Sequence, residues 1–261
     1  MKTPSPGKTL ATGLAASHPT GMKRIDGRRP DQLRPLKIKT DFVATPAGAV
    51  LIEMGKTRVI CAASIEDGVP QWMRKQGVEG GWITAEYSML PYATAPRKPR
   101  EVTRGRAEGR TQEIQRLVGR ALRTVTDIEK LGERTIWIDC DVLHADGGTR
   151  TASITGAYVA VMLAMRKLQG EGVLKENPIK SAVAAISVGL LDGVALLDLC
   201  YEEDSKAAVD MNVVMTDEGQ FVEVQGTGED APFTQRQMTA MLKLAREGIV
   251  ELMAAQKEVL H

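Results

Sequence analysis

The sequence has almost no imbalance of charge: 34 basic residues stand against 33 acidic ones. No global field draws in nucleic acid, so any contact with a polyanion has to come from a local cluster. Cysteine is scarce. Cys61, Cys140 and Cys200 all lie in apolar or strand-like runs, and no pair has metal-ligand spacing. An odd number of such thiols excludes a disulfide framework and predicts a reduced, cytoplasmic setting. No apolar run is long enough to span a bilayer. Zinc-ligand spacing, a Ser-His-Asp pattern and a Walker loop are all missing. Of three histidines, His18 and His261 lie near or at the termini, and only His144 falls near any candidate motif. The length, 261 residues, allows one large domain or two small ones.

Acid is also missing from residues 1–21, which are rich in Pro, Gly, Ser and Thr and carry two lysines. Leu10 to Ala16 is too short and too interrupted for a signal-peptide core, so 1–21 is expected to be a disordered extension. The remainder, 22–261, is expected to be a single folded domain.

Three strands open that domain: Lys37 to Ala44, Ala49 to Met54 and Thr57 to Ile65, the last two joined at Gly55-Lys56. Residues 67–110 carry Pro70, a Gly77 to Gly81 cluster and Pro91, Pro96 and Pro99, which forbid a continuous helix and predict a long loop. Its end is basic: Arg97, Lys98, Arg100, Arg104, Arg106 and Arg110, diluted by Glu101 and Glu108. Such a run is either a solvated loop or a surface for a phosphate backbone. Thr111 then opens a helix whose buried stripe is Ile114, Leu117, Val118, Ala121, Leu122 and Val125, with Arg110 just before it.

The stretch 139–157 is the most informative. The strand Thr135 to Ile138 precedes it, and a helix ending at Gly170 follows, with Ile154, Ala157, Tyr158, Val161, Met165 and Leu168 at helical spacing. Gly147, Gly148, Thr149 and Arg150 thus occupy a strand-to-helix turn. Its free amides and the arginine fork suit an anion, although a tight turn with a capping threonine explains the residues as well. Further on, Asp192-Gly193 joins two apolar strands, and Asp217-Glu218-Gly219 starts another hairpin. The last helix opens with Thr234 and Gln237 as a capping box. Met238, Met241, Leu242, Ala245, Ile249, Leu252 and Met253 form its buried face.

The wording DxDVLxADGGTRTASITGA at 139–157 resembles the ribonuclease PH family. The likeness extends through GWITAEYSMLPYAT, Gly109-Arg110-Thr111, and Tyr201 to Asp204 with Asp210-Met211-Asn212, covering the chain from about Met22 to its last helix. It implies an α+β fold similar to the second domain of ribosomal protein S5, with two β-α-β-α halves in one unit. It also implies trimming of RNA 3′ ends by phosphorolysis, with tRNA precursors as substrates and nucleoside diphosphates as products. Arg110, Gly148, Thr149 and Arg150 would bind the phosphate, and Asp204 and Asp210 would be catalytic and hold Mg²⁺. Arg97, Lys98, Arg100 and Arg104 would bind tRNA across an interface of a homohexamer built as a trimer of dimers. Tyr92 departs from the arginine many members carry. Asp198, another acid in an apolar strand, is a secondary candidate for the site, with a structural role as its alternative. Two rivals are a two-metal hydrolase, which needs more carboxylates, and a non-catalytic ring subunit, which would be expected to lose the arginines or the aspartates.

Overall fold

The structure is a computed structural model. It describes residues 24–229 and 231–261; the side chains of Val102 and Arg104 are also outside the described set. The expected extension 1–21 lies outside the described residues, as does the side chain of the predicted RNA contact Arg104.

The chain runs β1 (Leu36–Thr40), β2 (Gly48–Met54), β3 (Thr57–Asp67), α1 (Gln71–Gln76), β4 (Trp82–Met89), α2 (Gly109–Thr124), β5 (Arg134–His144) and α3 (Thr149–Gly170). It continues with β6 (Val183–Leu191), β7 (Val194–Leu197), α4 (Tyr201–Asp204), β8 (Val209–Thr216), β9 (Phe221–Gly228) and α5 (Gln235–Val259). One sheet has the order β1-β2-β3-β5-β4 and the other β7-β6-β8-β9. All pairings are antiparallel except β4 with β5. This is the expected α+β architecture, with strands and helices alternating through each half. No described helix is long and apolar enough to cross a membrane.

The helix α3 lies between the sheets, which explains its composition. Ile154, Ala157, Val159, Val161, Ala164 and Met165 all have no exposed surface, so it is apolar around its whole circumference. Polar groups cross from it to its neighbours at Thr155: the Ala185 amide of β6 donates to Thr155 Oγ1 (3.1 Å), and Gln256 Nε2 of α5 donates to the Thr155 and Val183 carbonyls (2.9 and 3.0 Å), while Gln256 Oε1 has no partner among the described residues. A continuous hydrophobic cluster joins both sheets through this helix. The Asp192-Gly193 hairpin forms as expected, with both residues left-handed (φ 50° and 76°), and Thr234 caps α5 with Gln237 in a capping box.

Three local expectations need correction. The stretch 67–110 is not one loop: it contains α1 and the edge strand β4. Ile83, Ala85 and Tyr87 of β4 alternate into the core, and its parallel partner lies some fifty residues on in β5. The alternation is flanked by glycines and prolines, and a partner that distant leaves no local signal. Strand β1 stops at Thr40, because Asp41 turns to φ 54°. Met238 is 37% exposed on α5, while Met241, Ala245, Ile249 and Leu252 are buried.

Candidate active site

The turn between β5 and α3 is built by close approach. Gly147 and Gly148 both adopt left-handed φ (75° and 65°). A Cβ on Gly147 would come within 2.5 Å of the Leu199 carbonyl oxygen, so only glycine lets the segment leading into α4 lie against the turn. The carbonyls of the turn are held from behind. Thr57 Oγ1 donates to the Gly147 oxygen (2.7 Å), and Arg34 Nη1 donates to that of Asp146 (2.5 Å). No side chain caps the start of α3 and no acid stands in its first turn. That helix end keeps its positive character for an anion.

Arg34 is in turn fixed by Asp198, which is fully buried. The carboxylate accepts from Arg34 Nη2 (2.6 Å), Nε (3.0 Å) and the Arg34 backbone amide (2.8 Å). Asp198 is therefore structural. Arg24 does the same for α4: its Nε and Nη2 donate to the two oxygens of Glu203 (2.8 and 2.6 Å), next to Asp204. The segment 24–34 thus braces both sides of the site. Sequence reasoning saw it only as the start of the family pattern. Four arginines within 24–34, Arg24, Arg28, Arg29 and Arg34, against two acids, Asp26 and Asp31, were the available signal, since the surplus guanidinium groups need distant acids if buried.

Arg110, Arg150, Asp204 and Asp210 come together although they lie on α2, α3, α4 and β8. Arg110 and Arg150 each lower the pKa of both aspartates. Burial outweighs them: the Asp204 carboxyl is raised, and that of Asp210 is pushed up to about 6 by burial and then by the neighbouring Asp204 charge. No described donor reaches the buried Asp210 Oδ1, although Asn212 Nδ2 donates weakly to Oδ2 (3.4 Å). Arg150 is anchored through Nη1 to Glu113 Oε1 (2.9 Å) and Gln225 Oε1 (2.5 Å). Arg110 is exposed and makes no hydrogen bond or ion pair among the described residues. It also stands inside the first turn of α2, after Glu108 at the cap, rather than before the helix as expected. A cation there is unfavourable to the helix dipole unless an anion joins it.

Two neighbouring carboxyl groups that receive only one weak donor among the described residues, Asn212, favour either a shared proton or a cation. The described residues gather no group of three or more metal-ligating side chains. Two aspartates leave the other positions to phosphate oxygens and water, the ligand set that Mg²⁺ accepts.

The basic segment runs up to Arg110 and α2. Arg97 and Arg100 are exposed, whereas Lys98 Nζ pairs with Glu108 Oε2 (2.7 Å). Glu101 ties the segment to α2, accepting from the Glu108 amide (3.0 Å) and Thr111 Oγ1 (2.6 Å). Tyr92 is 67% exposed beside it. On the outer face of α2, Arg120 pairs with Glu223, and Arg123 lies 4.3 Å over the ring of Trp82.

The arrangement is that of an α+β protein in which a helix start and two arginines face a carboxylate pair. The chain belongs to the 3′ exoribonuclease family: residues 32–167 match its domain 1 and residues 181–248 its domain 2. It is 60% identical to the ribonuclease PH of Bacillus pumilus, over 90% of this chain and 97% of that protein. It is 58% identical to the ribonuclease PH of Solibacter usitatus, over 91% of this chain and 99% of the relative. Among solved structures, the Archaeoglobus fulgidus exosome with RNA bound to the active site shares the fold, with a TM-score of 0.73 at 20% identity, covering 89% of this chain and 92% of that one. An archaeal exosome core gives 0.71 at 21% identity, over 90% and 91% of the two chains.

Proposed function

We propose that the protein is a phosphate-dependent 3′-to-5′ exoribonuclease that trims tRNA precursors. The observation that carries this reading is the meeting of the uncapped α3 start, Arg110 and Arg150 with the Asp204–Asp210 pair. An anion-binding turn beside carboxylates suits a reaction between two phosphates, where positioning and charge neutralisation matter more than a protein nucleophile. Arg110, Arg150, Thr149 and the amides at Gly148 orient inorganic phosphate. One of its oxygens bonds to the terminal phosphorus of the RNA. The bond from that phosphorus to the 3′ oxygen of the preceding nucleotide breaks, and this oxygen takes a proton from Asp204 or Asp210. A nucleoside 5′-diphosphate leaves; the reverse reaction extends the RNA. Asp204 and Asp210 would hold Mg²⁺, which supplies neutralisation of the phosphate oxygens.

Arg97, Lys98, Arg100 and Arg104 hold the tRNA body in this reading. Lys98 serves less well than the exposed arginines, since Glu108 already engages it. The exosome likeness supports assembly into a ring, for which we propose a homohexamer made as a trimer of dimers. Three buried unpaired thiols fit a reduced cytoplasm. Residues 22–261 act as one unit, with 1–21 a disordered extension. The alternative, a non-catalytic RNA-binding ring subunit, is disfavoured because both arginines and both aspartates are present and gathered. The test is release of nucleoside diphosphate from a 3′-extended tRNA with and without phosphate. Equal release of nucleoside monophosphate without phosphate would instead establish a hydrolase.

A further inference from the structure

Tyr87 is a buried polar group at the candidate site to which the reaction assigns no task. It lies on β4, opposite Cys140 of β5, and only 3% of its surface is exposed. Its ring belongs to the hydrophobic core, so its direction is set by packing. The phenol oxygen emerges at the start of α3, 2.9 Å from Thr149 Oγ1. Arg110 and Arg150 both act on this phenol electrostatically, which places it within the same charged cluster.

A threonine hydroxyl has one proton to donate and two lone pairs. At the start of a helix it has two favourable rotamers, and it can spend its proton on a nearby carbonyl. Between Tyr87 and Thr149, the phenol is the better donor because it is the more acidic hydroxyl. The bond therefore runs from Tyr87 O–H to Thr149 Oγ1, and the proton of Thr149 is left without an acceptor among its described hydrogen bonds. An anion at the uncapped helix start supplies that acceptor.

We propose that Tyr87 is a positioning residue. By donating to Thr149 Oγ1 it fixes the threonine rotamer and commits the threonine proton to a phosphate group, either inorganic phosphate or the terminal phosphate of a nucleoside diphosphate. This rests on the phosphate-site reading above. It deepens that reading by giving the strand β4 a role in phosphate affinity, without contact between Tyr87 and the substrate.

The test uses the full-length protein and Tyr87→Phe, which removes one oxygen and keeps the packed ring. RNA shortening is followed against inorganic phosphate concentration, and RNA extension against nucleoside diphosphate concentration. Losing one neutral hydrogen bond's worth of orientation should raise KM for phosphate about three- to tenfold. KM for diphosphate should rise in parallel, because its terminal phosphate occupies the same place, while kcat falls by less than KM rises. Thr149→Val should show a larger defect, and adding Tyr87→Phe to it should cost nothing more, because Tyr87 acts only through that hydroxyl. A thermal melt of each variant reports packing separately. Wild-type protein whose RNA shortening does not saturate with phosphate would overturn the phosphate site itself. Saturation by phosphate with an unchanged KM in Tyr87→Phe, or full additivity with Thr149→Val, would overturn only the positioning role.

Discussion

Asp210→Asn should stabilise the metal-free protein while abolishing its activity, and the gain should depend on pH in one direction. Asp210 is held with its pKa pushed from 3.8 to about 6, by burial first and by Asp204 second. The folded protein therefore holds this proton more tightly than the unfolded chain does. Stability linked to the group is fully present below pH 3.8 and is lost as the pH rises through about 6. A shift from 3.8 to about 6, at ~1.4 kcal/mol per unit, is worth about 3 kcal/mol above neutrality. Asparagine has no charge to lose, so it escapes this cost. In a chain of this size each kcal/mol moves the melting temperature by about 2–4 °C, giving a rise of about 6–12 °C at pH 8. The assay is thermal unfolding of both proteins at equal concentration with chelator present, at pH 8 and near pH 4. The difference should be large at the first and several-fold smaller at the second. Restoring Mg²⁺ at pH 8 should raise the melting point of the wild type and leave the variant unmoved. A variant that melts below wild type at pH 8 would refute the reasoning, for it would mean that donors hold the Asp210 carboxylate as an ordinary structural acid.

Arg110→Ala should lower the melting temperature only slightly, since the side chain is exposed and acts on Asp204 and Asp210 through space, with no hydrogen bond or ion pair among the described residues. It should raise KM for phosphate about ten- to a hundredfold by removing ~1.5–3 kcal/mol of charge-assisted binding, measured by phosphate titration of RNA shortening. Asp198→Asn should act on stability instead. It leaves the buried Arg34 charge without its carboxylate, at a cost of about 3–5 kcal/mol, and denaturant unfolding will report it. Replacing Arg97 and Arg100 together by alanine should weaken tRNA binding and reduce its logarithmic salt slope by about two, seen by filter binding across a salt series. Short oligonucleotides should be trimmed as before.

Most strands and helices were legible because their signals are local. The apolar runs of β2 and β3, the Asp192-Gly193 turn and the Thr234–Gln237 capping box each depend on residues a few positions apart. The strand-to-helix turn was legible for the same reason: Gly147 to Arg150 are consecutive, between a strand and a helix that announce themselves. Strand β4 was not, because an edge strand in parallel pairing answers to a partner some fifty residues away, and its flanking glycines and prolines read as loop. With β4 went Tyr87, which has no meaning at the site until the strand aims it at Thr149.

The sequence by itself determined which residue types the site contains and the local geometry that would present them. Tertiary structure alone decided their state. That Asp198 serves Arg34 while Asp210 keeps an unpartnered oxygen is a matter of which side chain the fold brings against each. Both are aspartates in or beside apolar strands, and their neighbours in sequence do not tell them apart. The difference arises because the buried arginines of 24–34 reach the start of α4 and the carboxylate of Asp198 but stop short of Asp210. That carboxylate is left to burial and to Asp204, and its pKa rises accordingly.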